Sequence, residues 1–136
     1  MKSFASAHWE GSGKEGSGTL STKSQVLNKA TYEYKSRFEG GVNTNPEELI
    51  GAAHAGCFSM KLSFILGAAG FTPTSIDTEA TVTLDAGSVT SSHLVVKANV
   101  PEITPEKFQE CAEDAKAYCP ISKLLNTNIT MEAILG

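Results

Sequence analysis

Between Ile76 and Leu84 the chain alternates with a period of two residues, with Ile76, Ala80, Val82 and Leu84 on one side and Asp77, Glu79, Thr81 and Thr83 on the other. A strand with one face on a core and one in water produces this pattern. The alternation returns from His93 to Val100, with Leu94, Val96, Ala98 and Val100 inward, and Asp-Ala-Gly-Ser before it reads as the turn of a hairpin. Shorter strands are expected at Phe4–Trp9, Thr19–Thr22 and Ala30–Tyr34, with a final one at Asn128–Leu135. The Gly-Ser-Gly-Lys-Glu-Gly-Ser-Gly segment between the first two reads as a hairpin turn, because no Gly-Lys-Ser/Thr ending makes it a phosphate-binding loop.

At Pro46 the period changes. From Leu49 to Gly70 nearly every position is apolar or small, and Lys61 is the one formally charged residue. This predicts a helix buried on nearly all sides. Asn45 can cap it, Pro46 suits its first position, and Glu48 can complete a capping box. It is expected to reach Ala69, with Gly70 as left-handed cap and Pro73 blocking continuation. Small residues from Gly51 to Gly56 would let another helix approach closely, a second subunit's among the options. Further on, Thr104 and Pro105 start a helix whose stripe is Phe108, Cys111, Ala112 and Ala115, and which stops at Cys119 because Pro120 follows. A short helix is expected over Pro120–Leu125. Strands, a long helix, strands, a helix and a strand, in that order, argue for an α+β fold with a mostly antiparallel sheet, and 136 residues argue for one domain, 1–136.

With 40% hydrophobic and 19% charged residues, the composition excludes a disordered chain or a disulfide scaffold. The formal charge of -4, with acids spread along the chain, disfavours a nucleic-acid partner. No apolar run is expected to span a membrane, and the N-terminal segment lacks a signal peptide's apolar stretch, so a cytoplasmic location is the default. Three cysteines, an odd number, suit free thiols or a catalytic pair in a reducing compartment.

Cys57, within His54-Ala-Gly-Cys57, lies too far along its helix for the N-terminal dipole to make a thiolate. Taken alone it reads as a small hydrophobe. A reactive thiol there needs a cation, and Arg37 is the chain's only arginine, just before the Gly40-Gly41 loop. Glu47 suits the second position of the helix for its charge, and it could also hold the Arg37 guanidinium through two parallel hydrogen bonds. Ten residues of straight helix separate Glu47 from Cys57 by about 15 Å. Either the helix bends at Gly51 or Gly56, or a second subunit supplies the Glu47 that serves a given Cys57. Cys119, before Pro120, occupies an N-cap facing free N–H groups, whereas Cys111 reads as packing. His54 and Cys57 alone complete no metal set, and His8 and His93 read as ordinary strand residues. Leu49, Ile50, Phe58 and Met60 suggest an apolar pocket.

The stretch NPEELIGAAHAGCFSMKLSFILGAAGFTPTSID, together with AHWEG, SRFEGG and YCPISKLLN, closely resembles the OsmC/Ohr family of peroxidases, in its osmotically inducible protein C branch, over nearly the whole chain. The resemblance implies an OsmC-like fold with sheets packed on the long central helix and an intertwined homodimer with two interfacial sites. It implies thiol-dependent reduction of organic hydroperoxides, with Cys57 peroxidatic, Cys119 resolving, and Arg37 and Glu47 the activating pair. The expected course is a Cys57 sulfenic acid and then a Cys57–Cys119 disulfide, reopened by an external dithiol, lipoyl-type reductants included, with no cofactor or metal. A thiol redox sensor would use the same cysteines with little turnover, and a hydrophobic-ligand binding protein of the same fold would keep the apolar pocket without depending on Cys57.

Overall fold

The computed structural model describes all 136 residues, which form two compact units, Met1–Leu49 and Ile50–Gly136. In the first unit, β1 (Ala5–Glu10), β2 (Ser17–Thr22) and β3 (Ala30–Tyr32) make an antiparallel sheet in that order. The Gly/Ser-rich segment between β1 and β2 is a hairpin turn, as expected. Trp9 pairs with Gly18, and the Trp9 and Tyr32 rings meet with centroids 5.3 Å apart. A Cβ on Gly18 would come within 2.7 Å of both rings, so only glycine lets them close over β2.

After β3 comes a short helix that alternation alone does not reveal, α1 (Tyr34–Phe38). Ser36 Oγ accepts the Glu33 backbone N–H at 3.0 Å and donates to the Glu33 carbonyl at 2.9 Å, which closes the turn. The strand therefore stops at Tyr32 rather than Tyr34, and Arg37 is carried on a helical turn.

The long helix α2 (Pro46–Ala68) starts in the first unit and runs unbroken into the second. Asn45 Oδ1 accepts the Glu48 N–H at 2.8 Å, as an N-cap should. Glu48 itself takes a hydrogen bond from Thr44 Oγ1 at 2.8 Å. At the other end Gly70 has φ +92°, and the Phe71 N–H returns to the Leu66 carbonyl at 2.9 Å, a left-handed cap.

The second unit holds β4 (Ser75–Asp85), β5 (Ser88–Asn99) and β6 (Asn128–Leu135) in the order β4-β5-β6, with α3 (Pro105–Tyr118) and α4 (Pro120–Leu124) between β5 and β6. The hairpin turn is the dipeptide Ala86-Gly87, with φ +50° and +80°. That is the primed geometry matching strand twist, and it lets β5 begin at Ser88, five residues before the predicted start. Strand β6 runs parallel to β5, the one parallel pair among antiparallel ones, because two helices cross between them. The sheets are thus mostly antiparallel in an α+β fold. Phe58, Leu62, Leu66, Leu94, Val96 and Phe108 form the core of this unit, each with no exposed surface. Fully burying such a side chain is worth about 1.5–3 kcal/mol.

Burial of α2 on nearly all sides does not hold within one chain. Gly51, His54, Phe58, Leu62 and Leu66 face inward, and Gly51 approaches the Ala80 carbonyl so closely that a Cβ would lie 3.1 Å away. Ala52, Ala53, Gly56, Met60 and Phe64 are exposed, the last two at 65% and 71%. With apolar residues on both faces, the pattern cannot say which face the chain itself covers. By length and mean hydropathy (1.5 over its best window) α2 is also long and apolar enough to cross a membrane, contrary to the expectation from the sequence. Its inward face is occupied by the core of its own unit.

Candidate active site

The four residues singled out from the sequence form two pairs, one in each unit. In the first, Arg37 on α1 meets Glu47 on the opening turn of α2. Arg37 Nε and one terminal nitrogen lie 3.0 and 2.9 Å from the same oxygen, Glu47 Oε1, so the two contacts share one acceptor instead of running in parallel. Glu47 Oε2 is buried without a hydrogen-bond partner in this chain. A buried carboxylate oxygen left unpaired is costly. The guanidinium also lies over the Phe38 ring, 5.3 Å from its centroid, and borders an aromatic-walled cleft of about 560 Å³ with Trp9, Lys14, Tyr32 and Tyr34.

The second pair joins the thiols. Cys119 caps α4, where its sulfur accepts the Ser122 backbone N–H at 3.3 Å and lies 3.1 Å from Ser122 Oγ. Cys57, half-buried on α2, lies near this turn, close enough for the Cys119 thiol and the Ile121 backbone N–H to influence its ionisation. Burial pushes the Cys57 pKa above its ordinary value near 9, and the Ile121 N–H and the Lys61 charge oppose that rise. An exposed apolar cleft of about 340 Å³ opens on Cys57, lined by Gly56, Met60, Lys61, Phe64 and Pro120. Of the expected apolar set Met60 is in its wall, whereas Phe58 turns away into the core. Cys111 is buried in the α3 stripe, as its spacing indicates.

Of three polar residues at this site, the sequence offers His54 only as an incomplete metal ligand and gives no role to Ser92 or Ser122. His54 is fully buried, with Nδ1 2.7 Å from Ser92 Oγ and Nε2 2.8 Å from Ser122 Oγ. A signal existed: His54 shares the inward face of α2 with Phe58 and Leu62, and Ser92 shares the inward parity of β5 with Leu94 and Val96. Polar side chains at core positions have partners.

Burial also holds the His54 pKa below its ordinary 6.5. The unfolded chain then binds a proton that the folded chain resists, so stability is complete above about pH 6.5 and is lost as pH falls through the lower folded value. Cys57 and Cys111, both raised by burial, act at the other end: stability is lost as pH rises from near 9 through their higher folded values. We expect the urea midpoint to be level between these limits and to fall outside them. A midpoint that stayed constant from about pH 7 down to pH 5 would contradict the buried neutral ring.

The family model described as OsmC-like protein matches residues 38–133. Peroxiredoxin OsmC of Escherichia coli (strain K12) is 55% identical over 130 residues, covering 93% of this chain and 91% of that protein. Organic hydroperoxide resistance protein OhrB of Bacillus subtilis (strain 168) is 29% identical over 85% of this chain and 86% of its own. The solved structure of an OsmC-like protein of unknown function from Vibrio cholerae superposes with a TM-score of 0.74 at 15% identity, over 98% of this chain and 99% of that one, which shows the shared fold. The chain belongs to the OsmC-like protein family. Within it, the chain is an enzyme, a peroxidase of the peroxiredoxin type.

Proposed function

We propose that this peroxidase reduces organic hydroperoxides to alcohols through a Cys57 sulfenic acid and a Cys57–Cys119 disulfide. The observation that carries the reading is a pair of neighbouring thiols, of which Cys57 opens on an apolar cleft while Cys119 is buried behind it. The Cys57 thiolate attacks the distal peroxide oxygen, the O–O bond breaks, and the alkoxide leaves as alcohol after taking a proton. Cys119 then attacks the sulfenic sulfur, water leaves, and an external dithiol returns both cysteines to thiols. Met60, Phe64 and Pro120 offer an alkyl tail apolar surface that hydrogen peroxide cannot use. The names of the relatives, a peroxiredoxin and a hydroperoxide resistance protein, support the same substrate class.

In this reading residues 1–136 act as one OsmC-like domain in an intertwined homodimer, in which Arg37 and Glu47 complete the site. Three observations favour pairing. The face of α2 that carries Met60 and Phe64 is apolar and uncovered, Glu47 Oε2 has no partner in its own chain, and α2 is unbroken at Gly51 and Gly56. Once placed near the substrate, Arg37 stabilises the negative charge that develops on the peroxide oxygens and on the Cys57 sulfur. The odd set of cysteines suits a reducing, cytoplasmic setting.

Steady-state peroxide consumption with a dithiol is the test. We expect many turnovers per chain, and a kcat/KM at least about tenfold higher for an alkyl hydroperoxide than for hydrogen peroxide, the gain that one or two buried methylenes provide. Oxidation that stopped after one equivalent, with dithiol in excess, would identify a sensor instead. Equal kcat/KM values would remove the cleft from substrate recognition.

A further inference from the structure

The buried polar chain behind the two thiols has no part in the scheme so far. It runs Ser92 Oγ to His54 Nδ1 at 2.7 Å, His54 Nε2 to Ser122 Oγ at 2.8 Å, and Ser122 Oγ to Cys119 Sγ at 3.1 Å. His54, Ser92 and Cys119 have no exposed surface, and Ser122 has 7%. Such a network is costly inside a core unless every member is satisfied. Here each ring nitrogen of His54 has a hydroxyl partner, and the chain ends on the thiol that must give up its proton.

We propose that His54 and Ser122 form a proton relay that activates Cys119 for attack on the Cys57 sulfenic acid, with Ser122 touching the reacting sulfur and His54 positioned behind it as proton acceptor. The proposal rests on the reading that Cys119 resolves Cys57. In the resting arrangement the neutral ring donates Nδ1–H to Ser92 Oγ, the Ser122 hydroxyl donates to Nε2, and the Cys119 thiol donates to Ser122 Oγ. When Cys119 attacks, its proton passes to Ser122 and the Ser122 proton passes to Nε2. The sulfur, still held by the Ser122 backbone N–H, bonds to the Cys57 sulfur as the Cys57 S–O bond breaks. Cys119 is oxidised and the sulfenic sulfur reduced. The departing hydroxide and the proton lent to His54 leave together as one water, so no outside reactant is needed.

Both partners of the ring are hydroxyls, which can accept as readily as donate. The imidazolium therefore keeps both hydrogen bonds while it exists. The titratable and charged groups on the elements that meet the ring are Glu47, Glu48, Cys57 and Lys61 on α2, His93 and Lys97 on β5, and Cys119 and Lys123 at α4; Glu47 is paired with Arg37 and Glu48 is exposed at the start of the helix. His93 turns outward to Thr130 Oγ1 at 2.6 Å, Lys97 and Lys123 are exposed, and burial is the influence that displaces the His54 pKa, downward. The ring is thus neutral and ready to accept at neutral pH.

The experiment follows the condensation step by itself. The reduced protein receives one equivalent of an alkyl hydroperoxide, and the conversion of Cys57 sulfenic acid to disulfide is timed by quenching, thiol labelling and mass spectrometry across pH. In the wild type the rate should be level from about pH 7 to 8.5 and fall only on acidification through the His54 pKa. A thiol without a base beside it instead quickens about tenfold per pH unit through that range. Ser122→Ala should slow condensation at pH 7 about a hundredfold and acquire that steep profile. Ser122→Thr, which restores the hydroxyl, should recover most of the rate, and His54→Gln should resemble Ser122→Ala.

Condensation in Ser122→Ala at the wild-type rate and with a level profile would overturn the relay while leaving the disulfide chemistry standing. A wild-type profile that climbs tenfold per unit overturns it too, and needs no variant that must fold. Wild-type protein that forms no Cys57–Cys119 disulfide would instead sink the reading on which the relay rests.

Discussion

Replacing Cys57 with serine removes peroxide consumption, lowering kcat/KM by at least about four orders of magnitude, because a hydroxyl has neither the polarisable sulfur nor the accessible anion that opens the O–O bond. Replacing Cys119 produces a different failure. Cys57→Ser leaves Cys119 and Cys111 reduced after peroxide, whereas in Cys119→Ser the first oxidation still occurs at Cys57. The sulfenic acid then has no neighbour to condense with. Catalytic cycling stops after one equivalent, and excess peroxide drives Cys57 on to sulfinic acid, which a dithiol cannot reverse. The two variants are separated by counting turnovers and weighing the Cys57 peptide. Sustained cycling in Cys119→Ser at the wild-type rate would assign resolution directly to the external thiol.

Arg37→Lys retains the charge and should still lower kcat/KM about a hundredfold or more. The guanidinium places two nitrogens, at 3.0 and 2.9 Å, on Glu47 Oε1 while its remaining donors stay free, and an ammonium on a flexible stem cannot hold that orientation. Glu47→Ala should fail in the same way, since it releases the arginine. If Glu47 and Cys57 of one site come from different copies, mixing inactive Glu47→Ala with inactive Cys57→Ser restores activity. Half of the randomly paired dimers are mixed, and each carries one site with both lesions and one with neither, so about a quarter of wild-type activity returns. No recovery after verified subunit exchange would place both residues of a site in one chain. An Arg37→Lys protein at full rate would make Arg37 structural and shift the activating role elsewhere, with Lys14 the next basic side chain to test.

Features set by short-range chemistry were legible in the sequence. The ends of α2 follow from Asn45, Pro46 and Gly70, those of α3 from Thr104, Pro105 and Pro120, and the cap position of Cys119 from the proline after it. The inward faces of β4 and β5 follow from strict alternation. Features that depend on distant partners were not. The parallel placement of β6 is decided by a two-helix crossover, and alternation reads the same in either direction. The uncovered side of α2 has the same small and apolar residues as its buried side, so composition cannot tell a core face from an interface. The His54, Ser92 and Ser122 chain links positions 38 and 68 residues apart, and only folding brings three ordinary polar residues into line. The turn at Glu33 to Ser36 was local and could have been found, but the alternating Ala30–Tyr34 run masked it.

The most direct measurement is the mass of the cysteine peptides after the reduced protein meets one equivalent of an alkyl hydroperoxide. The expected product is a single disulfide between Cys57 and Cys119 with Cys111 still a free thiol, because Cys57 neighbours the Cys119 thiol at the start of α4 while Cys111 is sealed in the α3 stripe. A Cys57–Cys111 bridge, or three unmodified thiols beside unconsumed peroxide, would contradict it.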